Sequence, residues 1–120
     1  LGAMKRWRLL AVWVGGSWLV ACGGPGRFIQ RGMDDYSRGD YASAEARFNE
    51  LETDVPDMNP KGYVRYKIYR GLTKLELGDK AQGCALLREG KSALDRGESR
   101  WLPDNIHQRV SEAMVSCVAQ

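Results

Sequence analysis

The 120-residue chain is long enough for one domain with a modest core, and 43% of it is apolar. Its formal charge of +3 comes wholly from Lys5, Arg6 and Arg8: taking these three from the 18 basic residues leaves 15, against 15 acidic residues that all follow position 21. A neutral body with interspersed signs and no basic run excludes a nucleic-acid binder, whose affinity rests on clustered lysine and arginine.

Lys5-Arg6-Trp7-Arg8 leads into the mostly apolar residues 9–21. That stretch is shorter than the roughly 20 residues a membrane-spanning helix needs. Gly15-Gly16-Ser17 also interrupts it, so it reads as an export signal, with Met4 the expected start. It closes on Leu19-Val20-Ala21-Cys22 and is followed at once by Gly23-Gly24-Pro25-Gly26. This resembles the lipobox of bacterial lipoproteins. The resemblance implies loss of residues 1–21, acylation of Cys22 on its sulfur and amine, and a stable membrane anchor, because more than one chain inserts. Gly23, rather than Asp, after the cysteine implies the outer membrane by the usual sorting rule, with the body facing the periplasm. Residues 22–27 are the expected flexible tether. Retention in the cytosol would leave the same stretch as merely a hydrophobic N-terminus. Trp7, Trp13 and Trp18 fall within the signal, leaving Trp101 as the tryptophan of the body.

Shifting the sequence by 39 positions aligns residues 29–51 with residues 68–90. Ile29/Ile68, Arg31/Arg70, Gly32/Gly71, Gly39/Gly78, Asp40/Asp79, Ala42/Ala81, Ala46/Ala85 and Glu50/Glu89 are identical. Chance gives one or two such pairs at any one offset, so the segment reads as a duplication. Gly-Asp is placed to turn between two helices, with the glycine past one end and the aspartate capping the next. Gly32 lets two helix backbones approach, Ala44 and Phe48 pair small with large on a buried face, and Pro56 stops the second helix.

Gly32, Gly39-Asp40-Tyr41, Ala44, Phe48 and Pro56 fall at the spacing of the tetratricopeptide repeat, which the segment 28–96 resembles. The resemblance implies an all-α fold of two helical hairpins in a short solenoid, and a protein-binding rather than catalytic role. Arg31 and Asp35, and Arg70 and Lys74 in the second copy, stand where the family is usually apolar. The linker 53–62 absorbs five residues beyond the family's period. The expected helices are 28–38, 41–54, 61–77, 80–96 and 103–118. In the last, Ile106, Val110, Ala113, Met114, Cys117 and Val118 form one apolar stripe, so residues 97–120 read as a C-terminal capping helix.

Two cysteines remain after Cys22. In an exported protein an even pair is a candidate disulfide. An antiparallel hairpin centred near residue 100 also sets Cys84 and Cys117 at equal height. The alternative is two ordinary buried thiols.

No nucleophile-base pair, phosphate loop or dinucleotide fingerprint occurs. His107 stands alone, so neither a catalytic residue nor a metal site is expected. Asp34-Asp35 and Glu50/Glu52 read as solvated acids. The most suggestive cluster is Tyr63, Tyr66, Tyr69 and Arg70 on the third helix, because tyrosine and arginine concentrate at binding hot spots. The competing reading is packing, since a central helix is covered on two sides. Trp101 is either the anchor of the last hairpin or part of a contact patch. The sequence thus points to an envelope adaptor that holds a protein partner, of the kind serving outer-membrane protein, pilus or secretin assembly, or else to an accessory subunit of an envelope complex. It expects a membrane contact through lipid, no cofactor beyond that lipid, no small-molecule substrate and no enzymatic activity.

Overall fold

The computed structural model describes residues 25–118, so the expected signal 1–21, Cys22 and the first part of the expected tether lie outside the described residues. The fold is all-α: α1 is Pro25–Ser37, α2 Tyr41–Glu50, α3 Pro60–Glu76, α4 Lys80–Asp95 and α5 Asp104–Val118. Two 3-10 turns, Glu52–Asp57 and Ser99–Trp101, stand between hairpins, and no strand occurs among the described residues. No helix among them is long and apolar enough to cross a membrane.

Helix α1 begins three residues before the expected position 28, so 25–27 are helix and not tether. The reason is Pro25, whose fixed φ suits a first helical turn and whose missing N–H has no partner to lose there. The helix buries Ile29, Gly32, Met33 and Tyr36, one stripe at helical spacing. It stops at Gly39, which takes φ 78°. Asp40 N then donates to Asp35 O at 2.9 Å and Gly39 N to Tyr36 O at 2.9 Å, which satisfies two end carbonyls.

The second hairpin repeats this turn bond for bond. Gly78 takes φ 88°, Asp79 N donates to Lys74 O and Gly78 N to Leu75 O, each partner 39 residues after its counterpart. The caps differ. Asp79 accepts from Gln82 N at 3.2 Å, whereas Asp40 makes no side-chain cap, against expectation.

Helix α2 ends at Glu50, four residues before the expected 54. Pro56 therefore lies beyond the helix, inside the 3-10 turn. It cannot donate to the carbonyl four residues back, and it biases Val55 away from α geometry. The chain tightens instead, with Asp54 N bonding Leu51 O at 2.9 Å. The next helix starts cleanly, because Asn59 Oδ1 accepts from Gly62 N at 2.7 Å and Pro60 occupies the first turn.

Helix α3 is the centre of the molecule. It packs most extensively on α4 and also meets α1, α2 and α5. Close approach is made by glycine. A Cβ on Gly71 would lie 2.8 Å from Leu87 Cγ and 3.1 Å from Gly83 O, and one on Gly32 2.6 Å from the Phe48 ring. Phe48, Ala44, Val64, Ile68 and Leu87 are fully buried around this axis. Leu102, Ile106 and Val110 extend the same core to α5.

Candidate functional site

The four residues singled out on α3 do not form one exposed surface. Tyr66 and Tyr69 are 1% and 3% exposed, and Arg70 is 6% exposed. A helix covered on several sides buries both halves of its wheel, so the packing reading of these three replaces the contact-surface reading. Tyr66 meets Phe48 edge-on with centroids 5.9 Å apart, and Tyr69 meets Tyr36 in the same way at 5.6 Å. Burial raises the hydroxyl pKa of both tyrosines. Arg70 donates to Tyr66 Oη at 2.5 Å and to Glu45 Oε1 at 3.0 Å, and Lys74 reaches the same Glu45 oxygen at 3.1 Å. Tyr63 alone of the four reaches the surface, half-buried.

Asp35 also departs from expectation. It is 2% exposed rather than solvated. Arg47 Nε donates to Oδ2 at 2.5 Å, Ser43 Oγ to the same oxygen at 3.1 Å, and Arg38 to Oδ1. Burial pushes the carboxyl up, but Arg47, Ser43 and Arg38 together hold it below the usual carboxylate range. Thus Asp35 in one copy and Arg70 and Lys74 in the other are taken up in internal ion pairs. Arg31 instead stays exposed, its guanidinium 5.8 Å from the Phe28 ring.

Tyr63 belongs to a groove of about 500 Å³ between the 3-10 turn Glu52–Asp57 and the 3-10 turn Ser99–Trp101. Val55, Met58, Ala93, Arg96 and Trp101 line it with Tyr63. The long linker between hairpins supplies one wall. Trp101 supplies the other and also anchors its turn: its ring lies over Gly97, where a Cβ would come within 2.1 Å. Arg65 Nε donates to Trp101 O at 2.9 Å, and His107 Nε2 lies 2.6 Å from Ser99 O. Trp101 is thus the anchor of its turn as well as one wall of the groove. His107 holds a loop and has no catalytic partner among the contacts of the described residues.

A second cleft, about 290 Å³, opens between α1, α3 and α5 towards the opposite end. Tyr36, Leu75, Glu76, Arg109, Glu112 and Ala113 line it. Arg109 lies 3.5 Å from Glu76 and donates to Tyr36. The end beyond it carries Leu77, Val115 and Val118, which are 47%, 72% and 81% exposed. Cys84 and Cys117 join as a disulfide here, with Cα atoms 5.7 Å apart, and tie α5 to the start of α4. No group of His, Cys, Asp or Glu among the described residues is placed to hold a metal.

Comparison of the chain with protein-family models, with curated proteins and with solved structures found no match.

Proposed function

We propose that this chain is a lipid-anchored, tetratricopeptide-like adaptor of the bacterial cell envelope, held at the outer membrane through Cys22 and facing the periplasm. The lipid sets location and local concentration, and the helical body supplies the contact that selects a protein partner. No chemical step is assigned to the body. The observation that carries this reading is the pairing of two helical hairpins whose turns and glycine contacts recur at a constant 39-residue spacing. Such stacks present faces rather than reactive groups.

The face best suited to a protein partner is the far end, where Leu77 at the end of α3 and Val115 and Val118 near the end of α5 are exposed. Large apolar side chains left exposed near one end of a small body offer a contact surface to a partner. Envelope assembly of the outer-membrane protein, pilus or secretin kind is the class of process implied. The two valines on the outer side of α5 also favour a second reading, a permanently docked accessory subunit of an envelope enzyme or transporter.

The test is a photoreactive residue placed at Val115 and, as a control, at exposed Arg88, with crosslinking in intact cells. Discrete protein adducts from position 115 and none from position 88 support the adaptor. No adduct from position 115 counts against it. An adduct that copurifies stoichiometrically and whose loss unfolds the chain favours the subunit reading.

A further inference from the structure

The connections between hairpins gather at one end of the bundle. The 3-10 turn Glu52–Asp57, the start of α3, the end of α4 and the turn before α5 meet there with the start of α1. Pro25 and Gly26 share a depression of about 110 Å³ with Met58 and Asn59. Met58 in turn lines the Tyr63–Trp101 groove. The groove therefore begins one side chain away from the point where the chain enters α1. Cys22 precedes Pro25 by three residues, and three Cα–Cα steps span at most about 11 Å. Once Cys22 carries lipid, this end of the bundle is held against the bilayer.

What that end displays suits a bilayer boundary. Tyrosine and tryptophan favour the layer where apolar chains meet headgroups, because each ring has an apolar body and a polar edge. Tyr63 and Trp101 are half-buried here over a floor of Val55, Met58 and Ala93. Phe28, in the first turn of α1, is 37% exposed. The charges nearby are mixed: Arg27, Arg31, Lys61 and Arg96 stand among Glu52, Asp54, Asp57 and Glu98. Attraction to anionic lipid is then small, and apolar contact sets the geometry.

We infer that the Tyr63–Trp101 groove and Phe28 form a membrane-facing surface that seats in the headgroup layer of the anchoring bilayer, with phospholipid as its occupant. This rests on the lipoprotein reading and adds an orientation to it: the groove faces lipid, and Leu77, Val115 and Val118 face away towards a partner.

Trp101, the tryptophan that follows Cys22, reports the contact directly. The full chain is expressed in a bacterial host, extracted from membranes, checked for acyl chains by intact mass, and reconstituted into phosphatidylcholine vesicles containing acyl-chain-brominated phosphatidylcholine. The expected result is a shift of Trp101 emission to shorter wavelength and loss of most of it to bromine quenching. A second reporter, Leu77→Trp in a Trp101→Phe background, stays unquenched. Unquenched Trp101 in acylated, vesicle-bound protein overturns the inference and leaves the groove open to a protein, with the lipoprotein reading intact. Equal quenching at both positions overturns the orientation. A mass without acyl chains removes the anchor, and both readings fall.

Discussion

Arg109 on the last helix donates a hydrogen bond of 3.0 Å from Nη1 to Tyr36 Oη on the first, across 73 residues of sequence. The guanidinium also lies 5.8 Å from the centroid of the same ring, and Tyr36 meets Tyr69 of α3 edge-on. One phenol thus joins α1, α3 and α5. Arg109 is half-exposed, which lowers the value of its charge. Tyr36→Phe is expected to cost about 1 kcal/mol in urea unfolding. Arg109→Ala should cost a similar amount, and the double variant less than the sum by about 0.5 kcal/mol or more. Full additivity would show that the contact does not couple the helices.

Asp35 gives the fold an acid sensitivity. Its carboxyl is held below the unfolded value, so its contribution is complete above about pH 3.9 and is lost as pH falls through the folded value. Asp35→Asn should lower stability at neutral pH and flatten the pH dependence below about pH 4. Because Arg38 and Arg47 reach solvent and can rehydrate, the loss for Asp35→Ala is roughly 2 kcal/mol and not that of a fully buried pair. Thermal unfolding of wild type and variant across acid pH checks both statements.

Gly71 marks a close backbone approach between α3 and α4. A methyl there meets Leu87 and the Gly83 carbonyl, and the backbone cannot yield as a flexible side chain can. Gly71→Ala is expected to cost about 2 kcal/mol. Gly26→Ala is the control, since nothing lies within 4 Å of its added Cβ. That change should be neutral or stabilise by about 0.5 kcal/mol. Chemical denaturation of the two variants side by side reads the difference.

The Cys84–Cys117 bridge closes a loop of 33 residues. In the chain-entropy model, opening it costs roughly 3–4 kcal/mol, a large share of what a body of this size holds. Reductant should lower the unfolding temperature of wild type and leave Cys84→Ser/Cys117→Ser unaffected. Equal melting with and without reductant would contradict a structural role for the bridge.

Helix order and both Gly-Asp turns were legible because glycine past a helix end is a local requirement, met at Gly39 and Gly78. The near-equal height of Cys84 and Cys117 was legible for a similar reason, since it follows from antiparallel geometry. For Tyr66, Tyr69 and Arg70 the sequence left packing and a contact surface both open, and burial decides for packing. A wheel places residues on faces, but the number of covered faces depends on how many neighbours α3 acquires. Asp35 was misread because its burial depends on arginines three and twelve residues away, on another turn and another helix. That Asp35 stands where the resembled family is usually apolar was a hint already available in the sequence. The groove was split between two isolated clues, Tyr63 and Trp101, which only the path of residues 52–60 brings together.

The proposed location, orientation and adaptor role all rest on acylation at Cys22, and mass spectrometry of the N-terminal peptide from membrane-extracted protein tests it most directly. The account predicts a peptide that begins at Cys22 and carries a diacylglyceryl group and an amide-linked acyl chain. A peptide that retains residues before Cys22, with that cysteine unmodified, would contradict it.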